Sequence, residues 1–335
     1  MPVTSISLDK RNLLRQGRLI WLIALALVCA VIAGTRIFGN SPDYISYDQF
    51  FDIARQYHLE ALKVTRFESG FVILSLVFTT LFSLNTSVYA ALVFISMLLK
   101  GWVIFLSSTT LSIFSIIALL YLIRYFSLHE LTQLRAALGI GLVLIGTSFI
   151  WRGSILYGTI ICVSSLFFHL SSFAVIPALY FSPVRRNQAI SISLYVFLGA
   201  LSFSGLIALY LGNFIPILGA YLTGGFDQAV PTNPFATQLL LDIATIVCAL
   251  FIWDRLTSVM RRSLFLVMLG LAIFYATSGL AGVAHRMREF YSVFWILFFA
   301  AGLSNARTKV FCYFFILLNL IFYTYVFFIS GSFFN

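Results

Sequence analysis

The sequence is poor in charged residues, which make up only 10% of its 335 positions, whereas a typical soluble domain carries about 25%. Hydrophobic residues account for 61%, and apolar runs long enough to cross a bilayer follow one another along the chain. These proportions exclude a soluble globular protein. They predict an all-α, polytopic integral membrane protein, with a single transmembrane domain over residues 1–335. Counting each apolar run as one crossing gives about 11 membrane segments.

Motifs that would indicate other chemistries are missing. The four cysteines, Cys29, Cys162, Cys248 and Cys312, lie in apolar runs and form no C-x-x-C pair, so neither a disulfide nor a metal site is predicted. The chain has no P-loop, no H-E-x-x-H and no G-x-S-x-G motif, which argues against a P-loop ATPase, a zincin and an α/β-hydrolase. The basic residues cluster at helix ends rather than along one stripe, so we expect no nucleic-acid partner. We also expect no cofactor.

The few charges indicate how the chain is oriented. The first apolar run, 19–38, is preceded by the basic residues Lys10, Arg11, Arg15 and Arg18. Because basic residues favour the cytoplasmic face, we expect a cytoplasmic N-terminus. Residues 39–68 would then form an acid-rich extracytoplasmic loop, whose apolar residues recur at helical spacing and predict an amphipathic helix. Residues 212–234, rich in Gly, Pro and Asn, would form a second extracytoplasmic loop.

Two ionisable residues, Arg135 and His169, lie in or beside apolar runs. An arginine at the centre of a membrane helix costs about 2.5–3.5 kcal/mol on insertion scales, so such a group is expected to face a cavity or a partner. The alternative is structural: Arg135 would extend from a helix end toward the headgroups, and His169 would be a hydrogen-bonded packing residue.

Two ways of threading these residues through the membrane are open. Simple alternation places loop 39–68 outside and Arg135 inside. The run 155–181 is long for one helix, so residues 168–172 could instead form the tip of a short helical hairpin, which is allowed where the backbone lines a cavity. Arg135 and His169 would then both lie near the outer face, provided that residues 70–126 contain a similar hairpin.

Two further segments carry candidate site residues. Arg286 and Arg288 belong to a dense charge cluster at 285–289, and guanidinium forks bind phosphate oxygens in pairs, which suits a pyrophosphate-linked lipid. The alternative is that they anchor a helix end at the headgroups. Asp43 could act as a base beside Tyr44 and Tyr47 as a sugar-stacking platform, or it could simply cap a turn after a proline.

Several stretches occur in an order that resembles one family. They are Arg36 followed by Asp43-Tyr44-x-x-Tyr47, Glu68-Ser69-Gly70-Phe71, Gln133-Leu134-Arg135-Ala136, the segment 165–172 that contains His169, and Arg286 followed by Tyr291. Together, over residues 36–303, this pattern resembles the EpsG family of Wzy-type polysaccharide polymerases. It departs from the family at Asn40-Ser41-Pro42, where Gly-Thr usually precedes the aspartate, and at Ser69, where proline is frequent.

The resemblance implies a GT-C-like glycosyltransferase of the bacterial inner (plasma) membrane, with its active site on the extracytoplasmic face. It would polymerise undecaprenyl-pyrophosphate-linked oligosaccharides into O-antigen, capsule or exopolysaccharide, beside membrane lipid, a flippase and a chain-length regulator. Arg135 and Arg286 would stabilise the diphosphate, and His169, or else Asp43, would take the acceptor proton. The remaining substrate-binding candidates are Arg36, Tyr44, Tyr47, Gln133 and Arg288.

Alternatives from other classes stay open at this point. An O-antigen ligase or an O-acetyltransferase would act on the same lipid-linked glycans. A polysaccharide flippase or transporter is a third possibility, although the sequence has neither paired carboxylates along a helix nor the internal repeat common in such folds.

Overall fold

The computed structural model describes residues 8–35, 41–183, 185–209 and 232–326. It is 84% helical, and no strand occurs within these ranges. The predicted all-α class is therefore confirmed. Arg36 and most of the predicted loop 212–234 lie outside the described residues.

The chain divides into two compact units, one formed by Met1–Ser172 with Ile316–Asn335 and the other by Phe173–Phe315. The helices of the first unit are α1 (Leu8–Thr35), α2 (Pro42–Tyr57), α3 (Ala61–Val64), α4 (Ser69–Leu81), α5 (Asn85–Ser107), α6 (Leu111–Tyr121), α7 (Ser127–His129), α8 (Leu134–Trp151) and α9 (Ile155–Ser164). Those of the second unit are α10 (Arg186–Leu209), α11 (Thr237–Phe251), α12 (Ser258–Ala276), α13 (Ala281–Ser292) and α14 (Trp295–Leu303). The last helix, α15 (Lys309–Thr324), is divided between the two units.

Among the described residues, six helices are long and apolar enough to cross a membrane: Gln16–Thr35, Asn85–Ser107, Leu111–His129, Leu134–Trp151, Arg186–Gly205 and Ser258–Ala276. The helix Leu111–His129 comprises α6, the π-helical turn Leu122–Phe126 and α7. Five shorter apolar helices occur in the same part of the chain. These lengths indicate a membrane protein, because about 20 apolar residues are needed for one helical crossing. The larger number of crossings and the GT-C-like architecture stay predictions.

The core of the first unit is built around α5, which packs against both α1 and α8, while α9 packs against α8. The buried face of α5 includes Tyr89, Leu92 and Val93, and that of α8 includes Leu138 and Leu144. Because lipid tails are as apolar as these side chains, close packing rather than removal from water stabilises the contact between the helices. The two long helices therefore form a rigid base for the segment that joins α7 to α8.

Helix α2 occurs where the spacing in loop 39–68 predicts a helix. Ser41 caps its N-terminus by accepting a hydrogen bond from the Tyr44 amide at 3.2 Å, and Pro42 occupies the first turn, where its fixed φ suits a helix start. Tyr47 and Phe51 continue the buried face at three- and four-residue spacing. This face packs against α4 and α5.

The apolar run 155–181 is not a single helix. Helix α9 ends at Ser164 and is followed by 3₁₀ turns at Ser165–Phe167, Leu170–Ala174 and Ile176–Tyr180. His169 lies between the first two turns. The run is therefore interrupted close to residues 168–172, whereas the hairpin predicted there and its position relative to the membrane faces stay predictions.

The second unit is organised around α12, which packs against α10, α13 and α14. Leu264, Phe265 and Leu266 are consecutive and all buried, which shows that α12 is covered on several sides. Helix α10 is different, because only 11% of its apolar stretch, within Arg186–Gly205, is buried. Such a helix is suited to contact lipid.

Candidate active site

Arg135 lies in the first turn of α8, at the end of the short segment that follows α7. Its backbone N–H donates to the Tyr47 hydroxyl at 3.5 Å, and its guanidinium lies over the Phe67 ring at 4.6 Å from the centroid. Its buried Nε–H has no hydrogen-bond partner among the described residues. The side chain is thus fixed by its surroundings and keeps an unused donor.

Glu68 joins Arg135 to His169. It is the N-cap residue of α4, and its Oε2 accepts from the Arg135 Nη1 at 2.6 Å. Its Oε1 lies 3.3 Å from the His169 Nδ1. One carboxylate therefore holds a guanidinium and an imidazole on neighbouring oxygens.

The electrostatics of Glu68 follow from these two contacts. Burial acts to raise the pKa of Glu68, but the hydrogen bond with His169 and the charge of Arg135 outweigh it. The pKa falls from the ordinary value of 4.5 to about 2. Glu68 is consequently a carboxylate, and only an acceptor of hydrogen bonds, at every physiological pH.

Two glycines allow the His169 segment to approach the helices that carry its partners. A Cβ at Gly70, in the first turn of α4, would lie 2.8 Å from the Phe167 carbonyl oxygen. A Cβ at Gly139, one turn after Arg135 on α8, would lie 3.4 Å from the His169 Cβ. Any larger residue at Gly70 must move backbone atoms near His169, so the site depends on this close approach.

Aromatic side chains lie beside Arg135 on the side of α2. Tyr44 and Tyr47 are buried, and Tyr44 meets the Tyr89 ring at 5.0 Å between centroids. Tyr47 packs on Phe67 at 5.7 Å, and burial raises the pKa of the Tyr47 phenol. The two tyrosines thus form part of the wall beside Arg135, and their predicted stacking on sugar stays a prediction.

The structure brings Arg135, His169 and Tyr47 together and adds Glu68, to which sequence reasoning gave no role. The signal was an acidic residue immediately before an apolar helix, within Glu68-Ser69-Gly70-Phe71. Asp43 is exposed in the first turn of α2, and Gln133 is half-buried just before α8. Arg36 is outside the described residues.

The other predicted arginines, Arg286 and Arg288, lie on α13 in the second unit and are half-buried. Arg288 Nη2 lies 3.7 Å from Asp242 Oδ2 on α11, and Asp242 is buried. Asp242 is a second acidic partner that sequence reasoning did not single out. The predicted convergence of Arg135 and Arg286 on one cavity stays a prediction.

A metal centre is not part of the described geometry. No group of three or more His, Cys, Asp or Glu side chains with the arrangement of metal ligands occurs in the part of the chain that the structure describes. The arrangement instead offers a fixed cation beside an imidazole whose Nδ1 is held by a carboxylate. Such a site can stabilise a developing negative charge and accept a proton.

Comparisons with known proteins identify a family for this chain. No curated protein and no solved structure is similar to the chain. The model of the EpsG family matches residues 19–335, which includes the Glu68–Arg135–His169 cluster and the α13 arginines. The chain therefore belongs to the EpsG family, a family of Wzy-type polysaccharide polymerase-like membrane proteins.

Proposed function

We propose that this protein is a membrane glycosyltransferase that polymerises undecaprenyl-pyrophosphate-linked oligosaccharide repeat units into O-antigen, capsule or exopolysaccharide. Family membership indicates a membrane protein of polysaccharide biosynthesis. The observation that carries the finer proposal is the cluster of Glu68, Arg135 and His169, because it combines the two groups that transfer from a sugar diphosphate requires: a fixed cation and a base.

The reaction sets a separate task for each group. A hydroxyl of the incoming repeat unit attacks the anomeric carbon of the growing chain, and the bond from that carbon to the diphosphate oxygen breaks. The acceptor proton passes to a base, and undecaprenyl pyrophosphate leaves with the bonding electrons. Negative charge thus develops on the diphosphate, while positive charge develops on the base.

Arg135 would stabilise the departing diphosphate. Its guanidinium stays charged at all working pH values and has several donors in one plane, of which Nη1 engages Glu68. The Arg135 side chain is 23% exposed, so the part of the guanidinium that reaches the surface is available to a phosphate oxygen. Loss of one such contact typically lowers the rate about 10²–10³-fold.

His169 would take the acceptor proton, with Glu68 as its positioning residue. Because ionised Glu68 can only accept, the contact at 3.3 Å places the proton of a neutral His169 on Nδ1 and leaves the lone pair on Nε2. When the ring becomes an imidazolium, the same carboxylate stabilises its charge. Asp43 remains the second candidate for the base.

The α13 arginines would complete the grip on the lipid. Arg286 would contact the diphosphate with Arg288 in support, since the pairing of Arg288 with buried Asp242 holds its side chain in place. Tyr44, Tyr47, Gln133 and Arg36 would contribute to binding of the glycan. Chemistry on the extracytoplasmic face, a flippase and a chain-length regulator belong to the same proposal.

Polymer length in a polymerase-deficient strain tests this function. Arg135→Ala, His169→Ala and Arg286→Ala are expressed separately, and chain length is read on gels at matched protein levels. We expect short chains from each variant. Normal long chains from all three would overturn the assignment. Accumulation of long, lipid-linked but unattached polymer would indicate a ligase instead.

The face of the membrane is tested independently with Arg66→Cys, since Arg66 is exposed two residues before Glu68. The background lacks Cys248, the exposed native cysteine. A membrane-impermeant maleimide added to intact cells should label the new thiol. Labelling only after the membrane is permeabilised would place the cluster on the cytoplasmic side and contradict the proposed orientation.

A further inference from the structure

One end of the second unit is strongly basic. Basic residues occur at the start of α10, from the end of α11 to the first turns of α12, and from the end of α14 to the start of α15: Arg185, Arg186, Arg255, Arg261, Arg262, Arg307 and Lys309. Hydrogen bonds join these segments: Arg262 Nε donates to Ser182 Oγ at 2.8 Å, and Asn305 Nδ2 donates to the Arg255 carbonyl at 3.2 Å. Asp254 is the acidic residue of these segments.

A groove of two adjoining parts opens at this end, between α10 and α11. The first part, about 330 Å³, is mainly polar and includes Arg185, Trp253 and Asp254. The second part, about 220 Å³, is mainly apolar and includes Ile190 and Val247. The parts share the side chains Arg186, Asn187, Leu250 and Phe251.

The two arginines of the groove differ from Arg261 and Arg262. Arg261 donates to the Trp253 carbonyl and Arg262 to Ser182, so both are engaged within the protein. Arg185 and Arg186 are exposed, and neither side chain has a hydrogen bond or an ion pair with the described residues. Their guanidinium groups are free to bind an anion, and phosphate is the anion whose oxygens match this geometry.

The apolar part of the groove indicates what the anion is attached to. Phe251 is 80% exposed, and Ile190 and Val247 are exposed as well. Residues 186 and 190 are one helical turn apart, about 6 Å along α10. The polar part of the groove therefore lies directly beside the apolar part, at the start of a helix that is mostly exposed. This order of charged head and apolar tail is that of a lipid at the boundary of headgroups and acyl chains.

We propose that this groove binds an anionic phospholipid. The phosphodiester contacts Arg185 and Arg186, and the upper part of one acyl chain lies along Leu250, Val247 and Ile190. Asp254 does not reverse the balance of charge, because the two free guanidinium groups and the surrounding basic residues exceed it. The groove shares no residue with the Glu68–Arg135–His169 cluster, and the proposal does not depend on the proposed function.

The test measures lipid binding to the purified full-length protein in detergent micelles. Native mass spectrometry counts bound short-chain phosphatidylglycerol, phosphatidylcholine with the same chains, and glycerol 3-phosphate. We expect phosphatidylglycerol to bind at least about tenfold more tightly than phosphatidylcholine, since each basic residue near a membrane surface favours an anionic lipid severalfold. Glycerol 3-phosphate should bind more weakly than phosphatidylglycerol, because it lacks the acyl chains.

Two double variants separate the groove from the general charge of this end. Arg185→Ala with Arg186→Ala should lower the affinity for phosphatidylglycerol about tenfold or more, to the level of phosphatidylcholine. Arg255→Ala with Arg307→Ala removes the same charge from exposed residues outside the groove. This second double variant should change the affinity for phosphatidylglycerol less than about threefold.

Three outcomes would overturn the proposal. Equal binding of the two lipids to the unaltered protein would exclude an anion site, whatever the variants do. Equal losses in the two double variants would show non-specific attraction to a basic surface. Glycerol 3-phosphate binding as tightly as phosphatidylglycerol would indicate a site for free phosphate compounds rather than for a lipid.

Discussion

Two clusters of charged side chains lie in the first unit, and they differ in how completely the protein covers and satisfies them. In the sealed cluster, Lys100 pairs with Glu130, and both side chains are fully buried. Tyr121 donates to the Glu130 carboxylate at 2.6 Å and Ser96 donates to it at 3.0 Å. Charges, hydroxyl groups and carboxylate oxygens satisfy one another inside the helices.

The open cluster, formed by Arg135, Glu68 and His169, also pairs a basic side chain with a carboxylate, but it is partly exposed. The side chains of Arg135, Glu68 and His169 are 23%, 13% and 10% exposed, and the Arg135 Nε–H has no partner among the described residues. A buried pair with all its partners stabilises one arrangement of helices. A partly exposed pair leaves part of the guanidinium and of the imidazole within reach of a substrate.

The sealed cluster also supports the open one. Tyr89 donates to the Glu130 carbonyl at 2.8 Å, and its ring packs against Tyr44 and Tyr47. Glu130 precedes Arg135 by five residues, in the segment that leads into α8. The buried charges therefore help to hold the segment that leads to Arg135.

The largest effect is expected from breaking the sealed pair. Lys100→Met leaves Glu130 buried without its cation, which should destabilise the protein by about 3–5 kcal/mol. The measurement is the thermal unfolding midpoint of the purified protein. Lys100→Met combined with Glu130→Gln should recover much of the loss, because the uncompensated charge is then gone.

Lys63→Met is the matched control, since Lys63 is exposed and should leave the midpoint unchanged. An unaltered midpoint for Lys100→Met would show that the sealed pair does not stabilise the fold, and the comparison between the clusters would then fail.

The second largest effect is expected on activity, from the open cluster. Arg135→Ala should lower polymerisation about 10²–10³-fold. The midpoint should fall less than for Lys100→Met, because the Arg135–Glu68 pair is partly exposed. Arg135→Lys should recover only part of the activity, because an ammonium group cannot reproduce the planar donors. Arg152→Ala is the control: this arginine follows α8 at its other end and is exposed. If both alanine variants reduce polymer length equally, Arg135 has no special role.

Glu68→Gln tests the link within the open cluster. Activity should fall about 10²-fold, because the amide no longer holds the His169 tautomer or offsets Arg135. Since the pKa of Glu68 is lowered from 4.5 to about 2, its carboxylate stabilises the fold above about pH 4.5. That contribution is lost as the pH falls toward 2.

The difference in unfolding midpoint between the unaltered protein and Glu68→Gln should therefore be constant from pH 7 to about 5 and then narrow below pH 4.5. Glu60→Gln, at an exposed position in the same loop, should show no such pH dependence. A difference that grows as the pH falls would contradict the depressed pKa of Glu68.

The smallest effect is expected from the close approach that positions His169. Gly70→Ala would place a Cβ 2.8 Å from the Phe167 carbonyl, so the backbone must shift, at about 1–3 kcal/mol. Polymer length should shorten moderately as His169 moves. Gly199→Ala is the control, because its Cβ would meet nothing within 4 Å and should be neutral or slightly stabilising. Normal activity for Gly70→Ala would mean that His169 tolerates displacement.

Sequence reasoning found the arginine and the histidine but not the residue that joins them. Arg135 and His169 stand out because ionisable groups are rare in apolar runs. Glu68 does not stand out, since it belongs to an acid-rich loop in which any carboxylate is plausible. Asp242, the partner of Arg288, and Glu130, the partner of Lys100, were missed for a different reason: pairing across helices leaves no mark in local spacing.

The apolar runs of this chain determine its helices and its membrane class, because both follow from local hydrogen bonding and from transfer of side chains out of water. The order of its motifs determines its family. Only the tertiary structure decided that Arg135 and His169, which follow Glu68 by 67 and 101 positions, would both contact its carboxylate. It also decided that the Lys100–Glu130 pair would be buried and that Arg185 and Arg186 would have no partner among the described residues. Contacts between distant segments depend on how helices pack, and packing depends on the shapes of all the side chains together.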